Sequence, residues 1–319
     1  DFPHIGCCAV QCNTTCDGSL MGNGIEARSF KIPTFQLAVP IRHRQESVQE
    51  YAAEEVVNAI HFIEEQTGEK FDWDAFFKSM KRFNAETEEF LEWMEISKTD
   101  YPQVMGVTLA LYRYGVYQAA GGRNQAFLDM DKKLTKMALD AYKSKEMAAK
   151  EYRHRAMTWG VQAAYYTALP IWLLNCWGVV TIADMLSMVS TEMVNTEDKH
   201  QAMLDLAYLY ENMIMRNRSN GGYETGVEAL WRFCEMFNID IVIMYVHMGC
   251  KSMSGYHGLF EEEARKHGIH LIWVTHNLMC PEDGTRRDMR TEINRYMRTV
   301  FREEPLDPSL EDFDDSKSW

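Results

Sequence analysis

The sequence predicts an α/β protein: two units built on parallel sheets and joined by a helical block, the first unit lacking its early strands. Three observations carry this reading. Ile239-Asp240-Ile241-Val242-Ile243-Met244-Tyr245-Val246 is a near-continuous apolar run rich in β-branched residues, the pattern of a parallel strand buried on both faces. After it come a loop at Gly249-Cys250-Lys251-Ser252-Met253-Ser254-Gly255-Tyr256, a helical pattern over 258–267 stopped by Gly268, and a second strand run over 269–274. Between residues 45 and 151, by contrast, the periodicity is helical throughout. The predicted divisions are therefore 1–45, the end of a first α/β domain; 46–151, a helical connector or lid; and 152–319, a second α/β domain.

Taken in order, the short apolar run 4–10 reads as the end of a strand, followed by the turn-rich Cys12-Asn13-Thr14-Thr15-Cys16-Asp17-Gly18. A short helix fits 22–30 and a strand fits 32–39. In the helical block, Ser47 and Glu50 have capping-box spacing, with Val56, Val57, Ile60 and Ile63 as the apolar face and Gly68 as the stop. Helical patterns continue over 73–96, 101–119 (after the break at Pro102) and 125–151, with the turn Gly121-Gly122 between the last two. The second domain opens with a strand ending at Gly160. It continues with a helix through about Trp172, a strand from Gly178 to Ile182, and helices over 200–216 and 226–237 before the central strand. A terminal helix spans 285–301, and an extended acidic tail follows from Glu303.

A length of 319 residues suits roughly two domains, and 46% hydrophobic with 12% aromatic residues supplies sizeable cores. The formal net charge of −14 argues against nucleic acid or an anionic membrane as partner. No apolar run reaches the roughly 20 residues of a membrane span; residues 167–182 come nearest, and Pro170 interrupts them. No secretory signal pattern is visible at the start. The chain opens at Asp1 without Met and runs at once into cysteines, which suggests an upstream part not included in this sequence. Eight cysteines are too few for a disulfide scaffold of this length and fit a reducing, cytoplasmic compartment. Twenty-one methionines, vulnerable to oxidation, fit an anaerobic host.

The thiols carry the strongest chemical signal. Cys7, Cys8, Cys12 and Cys16 cluster at the end of one predicted strand, and Cys250 lies on the loop at the carboxyl end of another, where open α/β sheets bind ligands. Such thiolates could hold a soft metal centre, either iron–sulfur or zinc, and the spacing alone does not choose between them. The plainer reading of any one cysteine is a small buried hydrophobe. Of the late histidines, His267 and His270 flank a helix stop and read as structural, while His247 stands close enough to Cys250 to tune it or merely to end its strand. Arg286, Arg287 and Arg290 read as a solvated face or, alternatively, a phosphate contact.

Gly249-Cys250-Lys251-Ser252-Met253-Ser254-Gly255-Tyr256 after an apolar strand closely resembles the last cluster-ligand motif of the 2-hydroxyacyl-CoA dehydratase and benzoyl-CoA reductase family. Asn13-Thr14-Thr15-Cys16-Asp17, followed by a helix and Ile32-Pro33-Thr34, resembles that family's middle ligand motif. The resemblance covers essentially the whole chain and is closest to the alpha-type (D-component) subunit. It implies flavodoxin-like topology in both units and a [4Fe–4S] cluster held by three cysteines, of which Cys16 and Cys250 are two and Cys12 is a reserve for the first. The remaining ligand normally lies upstream.

The resemblance also implies a related beta-type subunit, an ATP-dependent iron–sulfur activator protein and an acyl-CoA substrate. The implied reaction is one-electron activation, a ketyl radical at the thioester, and loss of water to give a 2-enoyl-CoA. One departure is His276-Asn277-Leu278-Met279-Cys280-Pro281, where the family tends to carry acids before a Pro, and it leaves the role of Cys280 open. Two alternatives stand beside the dehydratase: a subunit of ATP-dependent benzoyl-CoA reductase, and a non-catalytic assembly protein holding structural zinc.

Overall fold

The computed structural model describes residues 6–12, 17–40, 46–103, 125–147, 151–186, 192–212 and 223–314. They fall into two compact units, each an α/β arrangement with a parallel sheet. The first comprises Asp1–Glu88, Gly121–Leu128 and Val189–Gly226, and the second Glu89–Ala120, Asp129–Met188 and Val227–Trp319.

In the first unit, strands β1 (Ala9–Cys12) and β2 (Thr34–Leu37) pair in parallel from Ala9↔Thr34 to Cys12↔Leu37, with helix α1 (Asp17–Phe30) between them. Helix α2 (Glu46–Thr67) leans on β2 through Phe62, whose ring lies 5.6 Å from that of Phe35. It ends at Gly68, whose φ of +74° is a left-handed conformation that glycine adopts without a Cβ clash. Ser47 sits inside the first turn of α2 rather than capping it, because the helix already begins at Glu46. Helix α3 (Trp73–Ser97) follows, its first four turns in this unit. Helix α6 (Lys199–Glu211), capped by the Asp198 carboxylate accepting from Gln201 N at 2.7 Å, packs along α2. Ala52, Ala53, Ala202 and Ala207 are all buried there; small side chains let two helix backbones approach closely. The Tyr210 hydroxyl donates to Ala52 O at 2.8 Å across the seam.

In the second unit, β3 (His154–Trp159), β4 (Val179–Asp184), β5 (Ile241–His247) and β6 (His270–His276) form a wholly parallel sheet in the order β4-β3-β5-β6. This is the 2-1-3-4 order of a flavodoxin-like winding. The chain steps outward from β3 to β4, then returns past β3 to β5, so the direction of winding reverses between β3 and β5. One sheet face packs on α5 (Leu169–Trp177) and α10 (Arg286–Tyr296), with Ile241, Ile243 and Tyr245 set against Leu173, Trp177, Met289 and Ile293. Helices α7 (Tyr223–Met236), α8 (Lys251–Gly255) and α9 (His257–His267) complete the crossovers around β5, and α4 (Gln125–Lys143) lies mostly in this unit.

Several predicted boundaries move, for identifiable reasons. Helix α5 starts at Leu169 and runs to Trp177 because Pro170 fits the first turn, where no N–H is needed. Gly178, read as a strand residue, is instead the left-handed cap of α5 at φ 69°. Cys12 belongs to β1 rather than to the loop, and α1 begins at Asp17 rather than Gly22. Helix α4 stops at Lys143 instead of Glu151. The terminal helix is held by a full capping box between Thr285 and Asp288, then widens into a π turn over Met297–Phe301. The acidic tail is bound rather than merely extended: Leu306 N donates to Cys176 O at 2.7 Å. The predicted helix 101–119 and the Gly121-Gly122 turn fall largely outside the described residues, as do the end of the predicted helix 200–216 and the loop after it.

Candidate functional site

The second unit's site is assembled at the carboxyl ends of β5 and β6. Along β5, residues Ile241 to Tyr245 are buried, Val246 and His247 are half-buried, and Met248 is exposed. The chain then turns: Cys250 N donates to His247 O at 2.8 Å, and Met248 N donates to His276 O at 3.0 Å. His276, directly across from His247 in the β5–β6 register, also offers that carbonyl oxygen to His247 Nδ1 at 3.4 Å. The two imidazoles lie 6.1 Å apart. Gly249 closes the turn against the His247 ring; a Cβ there would stand 3.1 Å from His247 Nε2. One carbonyl of the neighbouring strand and one glycine thus fix where Cys250 emerges.

Cys250 is a free thiol, half-buried, at the N-cap of α8 with extended backbone (φ −89°, ψ 96°), and its side chain makes no capping bond. Its carbonyl is engaged instead, accepting from Ser254 N at 3.2 Å and Ser254 Oγ at 3.1 Å. The backbone around the sulfur is therefore tied down while the sulfur stays available, which suits a thiolate metal ligand. Cys280 sits on the loop after the adjacent strand, where its Sγ donates to Glu282 Oε2 at 3.0 Å. That bond is the largest influence raising the Cys280 pKa, because the nearby carboxylate favours the protonated thiol. Among the described residues, no group of three or more His, Cys, Asp or Glu side chains is arranged to hold a metal ion.

The other predicted cysteines belong to the first unit. Cys12 is the last residue of β1, half-buried, with its carbonyl accepting from Asn23 Nδ2 at 3.2 Å. Cys16 lies outside the described residues.

The second unit also holds buried polar groups whose burial the sequence does not announce. Tyr245 is 1% exposed, and its ring meets that of His276 edge-on at 5.7 Å. Burial raises the Tyr245 pKa, with Tyr166 and Asp184 adding to it. His276 is fully buried, and burial holds its pKa below the ordinary value despite opposing backbone groups of Asn277 and Val161. Arg290, expected on a solvated face, is only 2% exposed; it donates to Tyr166 OH at 2.9 Å and Phe313 O at 2.7 Å. Arg287 pairs with Asp312 at 3.0 Å on the exposed surface, as expected of a solvated face, and Arg286 Nε donates to Tyr165 O at 3.1 Å. The sequence signal for Tyr245 and His276 was their position toward strand ends, whereas Arg290 lies in α10 among charged neighbours. Charge and aromatic content do not reveal which distant segment will cover a residue. His267, stacked on Trp231 at 5.0 Å, and His270, 3.1 Å from Tyr296 OH, have the structural roles expected of them.

The parallel order β4-β3-β5-β6 defines an α/β protein of the doubly wound class, in which ligands as a rule bind at the carboxyl edge where Cys250 lies. The family comparison specifies it further: the 2-hydroxyglutaryl-CoA dehydratase, D-component, family model matches residues 5–296, and the chain belongs to that family, whose members are dehydratase components of hydro-lyase type. A comparison with curated proteins finds no significant match. Among the described residues, no helix is long and apolar enough to cross a membrane.

Proposed function

We propose that this chain is the alpha-like subunit of a [4Fe–4S]-dependent radical 2-hydroxyacyl-CoA dehydratase. It eliminates water from a 2-hydroxyacyl-CoA to give a 2-enoyl-CoA, through a ketyl radical formed after ATP-driven one-electron activation. The observation that carries the reading is the family match over residues 5–296, joined to a free, unencumbered thiol at Cys250. Cys16 and Cys250 are the cluster ligands in this proposal, with Cys12 in reserve for the first position. When bound, a [4Fe–4S] cluster supplies one-electron transfer and, at an iron without a protein thiolate, Lewis acidity toward a substrate oxygen.

The chain's own residues do the positioning. The His276 carbonyl and Gly249 set the turn that presents the Cys250 sulfur. The fully buried residues Ile243, Met244 and Tyr245 beneath it anchor the strand from which the turn rises. The partners proposed are a related beta-type subunit, an ATP-dependent iron–sulfur activator and the acyl-CoA, in the cytoplasm of an anaerobe.

The test is anaerobic reconstitution with iron and sulfide of the chain co-expressed with its partner subunit, read by absorption and EPR, on wild type, Cys16→Ala and Cys250→Ala. A [4Fe–4S] signal weakened by both substitutions is expected. Zinc without acid-labile sulfide, or a cluster indifferent to both substitutions, refutes the assignment. Product analysis separates the dehydratase from a ring reductase: the former yields an enoyl-CoA with no net electron consumption, the latter a cyclic diene with it.

A further inference from the structure

The first unit carries a pair of thiols outside the proposed ligand set. Cys7 and Cys8 are neighbours in the chain, with their sulfurs 4.0 Å apart. Cys7 is exposed and Cys8 half-buried, and both are reduced. Their placement is constrained on the downstream side: Ala9 N donates to Pro33 O at 2.9 Å, and the β1–β2 pairing begins at Ala9↔Thr34, so the backbone is anchored one residue after the pair.

We propose that Cys7 and Cys8 form a reversible dithiol–disulfide modification site, oxidised by exchange with a low-molecular-weight disulfide and independent of the iron–sulfur reading. The exposed Cys7 attacks first: its thiolate displaces one thiol from the small disulfide and becomes a mixed disulfide. Cys8 then gives up its proton to the released thiolate and attacks the Cys7 sulfur, expelling the second thiol. Two protein S–H groups and one small disulfide become one protein S–S bond and two small thiols, so the two electrons lost by the protein are gained by the reagent. Burial, and then hydrogen bonding to Cys7, raise the Cys8 pKa, which suits the second position in this order.

Chain geometry makes the product a switch rather than a staple. Adjacent Cα atoms are about 3.8 Å apart across a trans peptide, shorter than the roughly 4.4–6.8 Å that an ordinary disulfide spans. Closing the pair therefore strains the backbone at the anchored start of β1, and a strained disulfide is readily reduced.

The test treats the whole chain, free of iron and under anaerobic conditions, with glutathione disulfide, followed by peptide mass mapping and thiol counting. The expected result is a Cys7–Cys8 peptide that has lost both thiols with no added mass and is restored by dithiothreitol. Cys8→Ser should accumulate a glutathione adduct on Cys7, and Cys7→Ser should abolish the intrapeptide link. A separate readout keeps the two proposals distinct: iron bound after reconstitution should be the same in Cys7→Ser and Cys8→Ser as in wild type. A mixed disulfide that persists on wild-type Cys7, a link formed to Cys12 instead, or iron lost with either substitution overturns the proposal.

Discussion

Replacing Arg155 with Met tests how the second unit is locked together. Arg155 is 8% exposed, and its guanidinium donates to three main-chain carbonyls: Phe237 O at 2.9 Å from Nε, Thr99 O at 2.9 Å and Ser97 O at 2.7 Å. These carbonyls terminate α3 and α7, where helix ends leave acceptors unsatisfied and favour a positive charge. Hydrogen bonds to a charged group contribute about 1.5–3 kcal/mol each, and burying the guanidinium offsets part of that sum. Arg155→Met leaves three carbonyls without this donor at about 1–3 kcal/mol each, and losing the buried charge offsets part of that, for a net cost of about 3–5 kcal/mol. With a urea dependence of roughly 2–3 kcal/mol per molar, the unfolding midpoint should fall by about 1.5 M. Equilibrium urea unfolding, followed by the fluorescence of the buried Trp159 and Trp177, reads this out. Arg155→Lys should fall between wild type and Met, since an ammonium keeps the charge but not the fork that reaches three acceptors. A midpoint unchanged in Arg155→Met would refute the argument and mean that the helix ends need no capping charge.

Three other outcomes follow from the geometry. His154 bridges Asp240 at 2.7 Å and Glu303 at 3.0 Å; the Asp240 bond is the largest influence and raises the His154 pKa against the opposing effect of burial. Because the folded-state value is raised, the stabilisation is complete below the ordinary imidazole value of about 6.5 and fades as pH rises through the folded-state value. The urea midpoint of wild type should decline over that interval while His154→Gln stays flat, and parallel pH profiles would contradict the assignment. Gly160→Ala should lower the melting temperature by roughly 5–10 °C, since Gly160 has φ +100° and a Cβ there would lie 2.3 Å from Tyr245 O. Gly258→Ala, with open space around it, should leave the temperature unchanged or slightly higher. Finally, Cys176 and Cys234, buried with pKa values pushed up to about 12, should resist alkylation at neutral pH, whereas Glu282→Gln should speed alkylation of Cys280.

The sheet of the second unit was legible because buried parallel strands leave long apolar runs, and β5 with its glycine-stopped crossover helix followed directly from that pattern. Cys250 at a strand's carboxyl end was legible for the same reason. Boundaries slipped where a residue type serves two purposes: Pro170 read as a breaker but opens α5, and Gly178 read as strand but caps it. The buried polar residues were not legible. Arg155, Tyr245 and Arg290 are defined by partners or cover tens of residues away, and no local period encodes such a meeting. Arg290 shows the limit most clearly, since its neighbours Arg286 and Arg287 made it look like part of a charged surface while Tyr166 and the Phe313 carbonyl bury it.

The segment after the π turn has a consequence for how the chain is made. Residues 304–313 return over the second unit and supply carbonyls to the exposed Arg153 and to three buried or half-buried donors: Glu304 O to Arg153, Leu310 O to Trp172, Glu311 O to Asn294 and Phe313 O to Arg290. Asn294 in turn accepts from Trp177 Nε1 at 2.8 Å. Domains generally fold during synthesis from the amino end onward, yet here Arg153, just before β3, and Trp172 of α5 meet backbone made more than a hundred residues later. A nascent chain that has not passed residue 313 lacks carbonyl partners for the Trp172 indole, the Asn294 amide and one of the Arg290 nitrogens, so the order of translation and the order of burial run in opposite directions.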